Sequence, residues 1–267
     1  MLAGGAMRGL GGLIAALAVL TLVGAPLGFG PLGRPVSAGE VSDPREMLAR
    51  SVQAVLDAGS LQVDGEIEGV LSPGLVPGQP GPVQLDGLTS TVRLVPPDAA
   101  MWGRISIPSL DATIEFTTSW DTLWYRESDA ASWVRASVGG VATEAGVDAN
   151  PLTLVDRVRA YLDRPDLHPV VDDVTCPEVG GPCRRIVLET GDDPAALLDA
   201  LLPDGGTRTT PAVASRVVVY ADRSTLRPLQ VVIEVRSTLR SVDVLTILRT
   251  SHWDDPSIVI EVPDTGP

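Results

Sequence analysis

The sequence predicts an α+β protein: one large antiparallel β-sheet accompanied by a few α-helices. Apolar and polar residues alternate with a period of two through most of the chain beyond residue 60, the pattern of strands with one dry and one wet face. The links between successive strands are too short for the crossovers that parallel pairing needs. An Asx residue followed by proline recurs at Asp43-Pro44, Asn150-Pro151 and Asp193-Pro194, where the Asx side chain caps free amides and proline fits the first helical position.

The chain opens as an export leader. Arg8 is the sole charge before the apolar run from Leu10 to Val23, Pro26, Gly28, Gly30 and Pro31 break that run, and Val36-Ser37-Ala38 supplies a small-residue cleavage site. Removal after Ala38 leaves residues 39–267 as a single domain outside the cytoplasm, secreted or in the cell envelope. The alternative is retention as an anchor, because the uncharged stretch between Arg8 and Arg34 is long enough to cross a bilayer. Gly39 follows the site, so no cysteine offers itself for lipid modification.

After the Asp43 cap, Glu46 completes a capping-box spacing, and Met47, Leu48, Val52, Val55 and Leu56 recur at helical steps until Ala58 and Gly59. Next comes a strand in which Leu61, Val63, Ile67 and Leu71 face one way and Gln62, Asp64, Glu66 and Glu68 the other, with Gly65 and Gly69 on the apolar side. The run Leu71–Gln84 is broken by Pro73, Gly74, Pro77, Gly78, Pro80, Gly81 and Pro82 and reads as a loop. Strands follow over 85–95, 101–107, 112–118, 122–126 and 133–137. The second helix carries Leu152, Leu154, Val155, Val158 and Leu162, and the third, with Leu197, Leu198, Leu201 and Leu202, stops before Pro203. Strands over 183–189, 213–221, 229–236, 242–248 and 258–262 complete the chain.

The net charge is −14, and loss of the two leader arginines, Arg8 and Arg34, takes it to −16, which argues against binding nucleic acid or other polyanions. All 20 basic residues are arginine, a compositional bias with no functional reading of its own. Cys176 and Cys183 flank Pro177, Gly180, Gly181 and Pro182, turn chemistry that brings two Cα atoms within reach of a disulfide in an oxidising compartment. Their spacing is wider than that of a redox pair, and the chain has too few Cys and His for a metal site.

No nucleophile motif, zinc-protease motif, phosphate-binding loop or dinucleotide fingerprint is present. His168 and His252 are far apart, and the acid pairs Asp172-Asp173, Asp192-Asp193 and Asp254-Asp255 lack the alternation of a calcium loop. No enzyme, cofactor or metal is therefore expected. Aromatic residues are sparse and concentrated: Trp120, Trp124, Tyr125 and Trp133 share the hairpins between Asp111 and Ser137. With so few rings, a broad sheet face is either filled by Val, Leu and Ile as an ordinary core, or left as an apolar cavity with room beside Gly65 and Gly69.

The order of leader, amphipathic helix, strand, long meander, second helix, disulfide turn, short helix and closing strands resembles the LolA-like superfamily, especially actinobacterial envelope proteins of the LppX/LprG type. The local features are the helix-to-strand entry from Ala49 to Val70, Asp121-Thr122-Leu123-Trp124-Tyr125 followed by Trp133-Val134-Arg135, and the close from Leu239 to Pro263 with Ser251-His252-Trp253-Asp254. The resemblance implies a curved, half-open sheet (a half-barrel) covering helices, with an apolar interior that binds acyl chains and carries lipid or lipoprotein across the envelope. It departs from LppX/LprG in lacking their lipidated cysteine at the leader junction.

Two functions follow. The first is a non-enzymatic carrier of lipid or a lipidated molecule, making transient membrane contact. Its lining would come from Leu61, Val63, Gly65, Ile67 and Gly69 on the first strand and from Ile114, Phe116, Leu229 and Val231 on later strands. Leu48, Val52 and Val55 of the first helix and Leu154 and Val158 of the second would complete it. The second is an envelope interaction or sensor module with a packed core, recognising a protein through its Trp-bearing hairpins or a strand edge.

Overall fold

The computed structural model describes residues 42–71, 81–120, 122–127, 132–137, 168–189, 213–237 and 242–264. The leader, most of the Pro/Gly-rich loop, both downstream helices and the candidates Leu154 and Val158 lie outside the described residues.

Helix α1 spans Pro44–Leu56, with Asp43 as its cap accepting a hydrogen bond from the Arg45 amide at 2.9 Å. Glu46, expected to complete a capping box, instead pairs with Arg50 one turn on. Met47, Leu48, Ser51 and Val55 form its buried face.

Among the described residues twelve strands follow: β1 (Leu61–Leu71), β2 (Val83–Gln84), β3 (Leu88–Val95), β4 (Ala100–Ile107), β5 (Ala112–Ser119), β6 (Thr122–Arg126) and β7 (Val134–Ser137), then β8 (Val170–Thr175), β9 (Pro182–Glu189), β10 (Val213–Asp222), β11 (Pro228–Ser237) and β12 (Val242–Ser251). They make one open antiparallel sheet in the order β7-β6-β5-β4-β3-β1-β12-β11-β10-β9-β8, with β2 paired to the end of β1. β7 and β8 are its edges, so it is not a closed barrel. The last strand returns beside the first, which makes β1 the hinge of two meanders.

Three expectations are corrected. The segment read as loop up to Gln84 ends in β2, and the predicted strand 85–95 begins only at Leu88, because Gly87 turns the chain at φ 73°. β8 was missed: Val170-Val171-Asp172-Asp173-Val174 does not alternate, so pairing with β9 rather than local pattern makes it a strand. Residues 258–262 are not a strand, since both sides of β12 are already taken by β1 and β11, and Val259 stays largely exposed.

Register sorts the two faces. One row of directly opposed residues crosses nine strands as Val171, Ile186, Val219, Val231, Leu248, Gly65, Ser90, Ile105 and Ile114. The neighbouring row crosses ten as Asp172, Arg185, Tyr220, Gln230, Arg249, Asp64, Thr91, Arg104, Glu115 and Arg126. The first belongs to the apolar inner face; the second belongs to the polar outer face, where Arg185 pairs with Asp172, Arg249 with Glu66 and Arg126 with Glu115. Because the side-chain period is two, a slip of one residue would exchange them.

Candidate functional site

The inner face is the candidate site. Its β1–β5 half is densely filled: Leu61, Val63, Ile67, Leu88, Val92, Leu94, Met101, Ile105, Ile107, Ile114, Phe116 and Leu248 belong to one buried cluster with Val55 and Ala58 from the end of α1. Ile105, Ile107 and Ile114 retain no accessible surface, and Phe116 only 1%. α1 packs against β9 and β11, placing its apolar face over the other half of the sheet.

The sequence-predicted lining residues divide along this line. Leu48, Val55, Leu61, Val63, Ile67, Ile114 and Phe116 are buried, whereas Val52, Leu229 and Val231 are only partly covered and lie on α1 and β11. Val231 packs against the rim of the buried cluster. Described inner-face side chains keep accessible apolar surface along the β11 margin beneath α1, and also at Val217 and Val171 on β10 and β8 and at Tyr125 and Val134 on β6 and β7.

The two glycines expected to open space make room for protein atoms instead. A Cβ at Gly65 would overlap Ser90 Oγ and approach Leu248 Cδ2 to 3.2 Å. Gly69, at φ 127°, lies against the Asp243 carbonyl, so a side chain there would meet backbone. Gly103, not singled out in the sequence, admits the Phe116 ring. A period-two strand with a glycine opposite a lone phenylalanine is the signal that could have found it.

Polar groups on the inner side are few. Ser51 Oγ and Ser90 Oγ are buried without a hydrogen-bond partner among the described residues. A buried hydroxyl without a partner is costly, and a bound ester or amide carbonyl would satisfy it.

Of the remaining sequence candidates, Asp192 and Asp193 lie outside the described residues. Cys176 and Cys183 form a disulfide with Cα atoms 5.1 Å apart. The turn they close presents Glu178 to Arg249 in a bidentate pair, 2.7 and 2.9 Å, and that guanidinium holds the Glu178 carboxyl below its usual range against a small opposing effect of burial. Asp173 pairs with Arg184 at 2.7 Å and Arg223 at 3.3 Å. Asp255 accepts the Ser257 amide at 2.9 Å. His168 is exposed, as is His252, whose Nδ1 shares a 2.9 Å hydrogen bond with Ser251 Oγ. Among the described residues no group of three His, Cys, Asp or Glu side chains is placed to hold a metal ion, and no helix is long and apolar enough to cross a membrane.

The fold has known counterparts. The lipoprotein LppX of Mycobacterium tuberculosis superposes with a TM-score of 0.51 at 16% identity, covering 82% of this chain and 98% of its own. An uncharacterised conserved protein of Thermus thermophilus (TM-score 0.37, 12% identity, 78% of this chain and 86% of that one) is a more distant likeness. So is a LolA superfamily protein of Nitrosomonas europaea (0.31, 13%, 84% and 96%). No protein-family model and no curated protein matches the sequence. The chain shares the fold of LppX, as its element order led us to expect.

Proposed function

We propose that this protein is a non-enzymatic extracytoplasmic carrier that holds an acyl chain of a lipid or lipidated molecule against the inner face of its sheet. The observation that carries this is the division of that face: a filled half over β1–β5, and a partly accessible apolar margin formed by Val52, Leu229 and Val231 under α1. At about 0.8 kcal/mol per buried CH₂, a chain of roughly a dozen carbons supplies about 10 kcal/mol before the costs of association, so no charged anchor is required. Ser51, on the buried face of α1, offers a hydroxyl donor for a carbonyl. The disulfide and the leader support export, and removal of residues 1–38 would free the domain for transient contact with membrane.

A specific observation favours a second reading, an envelope interaction or sensor module with a packed interior: Gly65 and Gly103 are filled by Ser90 and Phe116 rather than by space. Native mass spectrometry of residues 39–267, purified without detergent from a lipid-containing envelope, separates the two. A discrete extra mass that leaves on denaturation and proves to be lipid supports the carrier. A bare polypeptide mass less two hydrogens supports the packed module.

A further inference from the structure

On the outer face, a row of directly opposed residues runs Arg93, Trp102, Thr117, Trp124, Arg135 across β3 to β7, a guanidinium and an indole on each side of a central threonine. Each arginine stacks on its neighbouring tryptophan: Arg93 Cζ is 5.3 Å from the Trp102 ring centre and Arg135 Cζ 5.9 Å from that of Trp124. Thr117, between the two tryptophans, is 1% exposed although it lies on the outer face. Both arginines are exposed.

Arginine also stacks on tryptophan in Arg126–Trp133 and Arg227–Trp253, but there the arginine pairs with a carboxylate as well. Acids outnumber arginines 34 to 20, and most described arginines sit against a carboxylate, as in Arg184–Asp173, Arg185–Asp172, Arg227–Asp254 and Arg249–Glu178. Neither Arg93 nor Arg135 has a carboxylate within ion-pair distance among the described residues; Arg93 Nε donates instead to the neutral Gln62 Oε1 at 3.2 Å. Glu115, the acid nearest in register, is taken by Trp102 Nε1 at 2.8 Å and by Arg126. The two ends differ in one respect: Trp124 Nε1 is buried without an acceptor among the described residues.

We propose that this row is a local docking site for an acidic protein segment, with Arg93 and Arg135 each receiving a carboxylate; the negative charge of the whole chain opposes polyanions at long range, but beyond about 8 Å it is screened at physiological ionic strength while these two contacts are not. Four strand spacings set the Arg93 and Arg135 backbones about 19 Å apart, and the indoles beneath the guanidiniums hold both flat, so little side-chain freedom is lost on binding. Tryptophan and arginine are the residue types that dominate protein-protein binding energy. The fixed spacing favours a protein segment over a fluid anionic bilayer, which needs no such rigidity, and the stacked indole faces are not free to insert among lipids.

The test is titration of the leader-processed protein with a dye-labelled poly-glutamate peptide, with poly-glutamine and phosphatidylglycerol vesicles as separate probes. The expected result is salt-sensitive binding to poly-glutamate only, weakened about tenfold by Arg93→Gln or Arg135→Gln and further by both, with unfolding temperatures unchanged. The Trp124 indole N–H resonance should move on binding in the parent and stay in Arg135→Gln. Absence of poly-glutamate binding, equal binding by the double variant, or binding to the vesicles in its place overturns the proposal.

Discussion

Asp254 ties the end of the sheet to its beginning through Gly59: its Oδ1 accepts the Gly59 amide at 2.8 Å across 195 residues of sequence. The reverse bond runs beside it, from the Asp254 amide to the Ser60 carbonyl at 2.8 Å, and Ser60 Oγ donates to the Asp255 carbonyl at 2.8 Å. Arg227, lying over the Trp253 ring at 5.1 Å, pairs with the same carboxylate. This clasp fixes where α1 hands over to β1. Asp254→Ala should lower stability by about 1 kcal/mol, with Asp254→Asn in between because its amide oxygen still accepts from Gly59. A denaturant midpoint unchanged in Asp254→Ala would show that the clasp contributes nothing.

Acid should weaken the fold through a few identified carboxyls. The Gly59 amide and Arg227 hold Asp254 below the usual carboxylate range, against partial burial, and Arg249 does the same for Glu178. For Asp222, burial pushes upward, but donors from Ser224 and Thr225 outweigh it. A carboxyl depressed in the folded state adds stability above its unfolded pKa and loses it as pH falls through the folded value. Urea midpoints should therefore be level above about pH 5 and decline below about pH 4. Arg249→Gln should flatten part of that decline, and an identical profile in this variant would count against the Glu178 contribution.

Gly103→Ala places a methyl group where the Phe116 ring lies, and overpacking of this kind costs about 1 to 3 kcal/mol. Combining it with Phe116→Leu should restore much of the loss, because the intruding ring is gone. Ser90→Ala, which removes a buried hydroxyl without a partner, should be neutral or stabilising. Thermal unfolding of the four proteins reads all of this, and a strongly destabilised Ser90→Ala would show that the hydroxyl is satisfied in solution.

The two halves of the inner face should respond differently to substitution. Phe116→Ala, inside the filled cluster, should cost about 3 to 5 kcal/mol. Val231→Asp, at the partly covered margin, should leave the fold intact while abolishing capture of a fluorescent fatty acid. If Val231→Asp binds the probe as well as the parent protein does, the acyl chain does not lie along β11.

Replacing both Cys176 and Cys183 with serine should cost roughly 2 to 3 kcal/mol, the chain-entropy value for so small a loop. It should also loosen the turn that carries Glu178, so the Glu178–Arg249 pair should weaken together with the disulfide. Hydrogen exchange of residues 176–183 tests this directly. Protection equal to that of the oxidised protein would mean that β8 and β9 alone hold the turn.

Sequence alone determined most of the strands, the first helix and the cysteine pair, because each of these depends on neighbours close along the chain. The Leu61-Val63-Ile67 alternation, the Asp43 cap and the Pro/Gly turn between Cys176 and Cys183 are local chemistry read directly from residue order. Tertiary structure decided everything set by pairing across long separations. Gly65 reads as empty space until β3 and β12 bring Ser90 and Leu248 beside it. β8 exists because β9 offers an edge, and 258–262 is not a strand because β12 has no edge left. Arg93 and Arg135 lie in separate hairpins, and only register across five strands sets them in one row over Trp102 and Trp124. Periodicity tells which face a residue takes; register, fixed by the whole sheet, tells which residues it meets there.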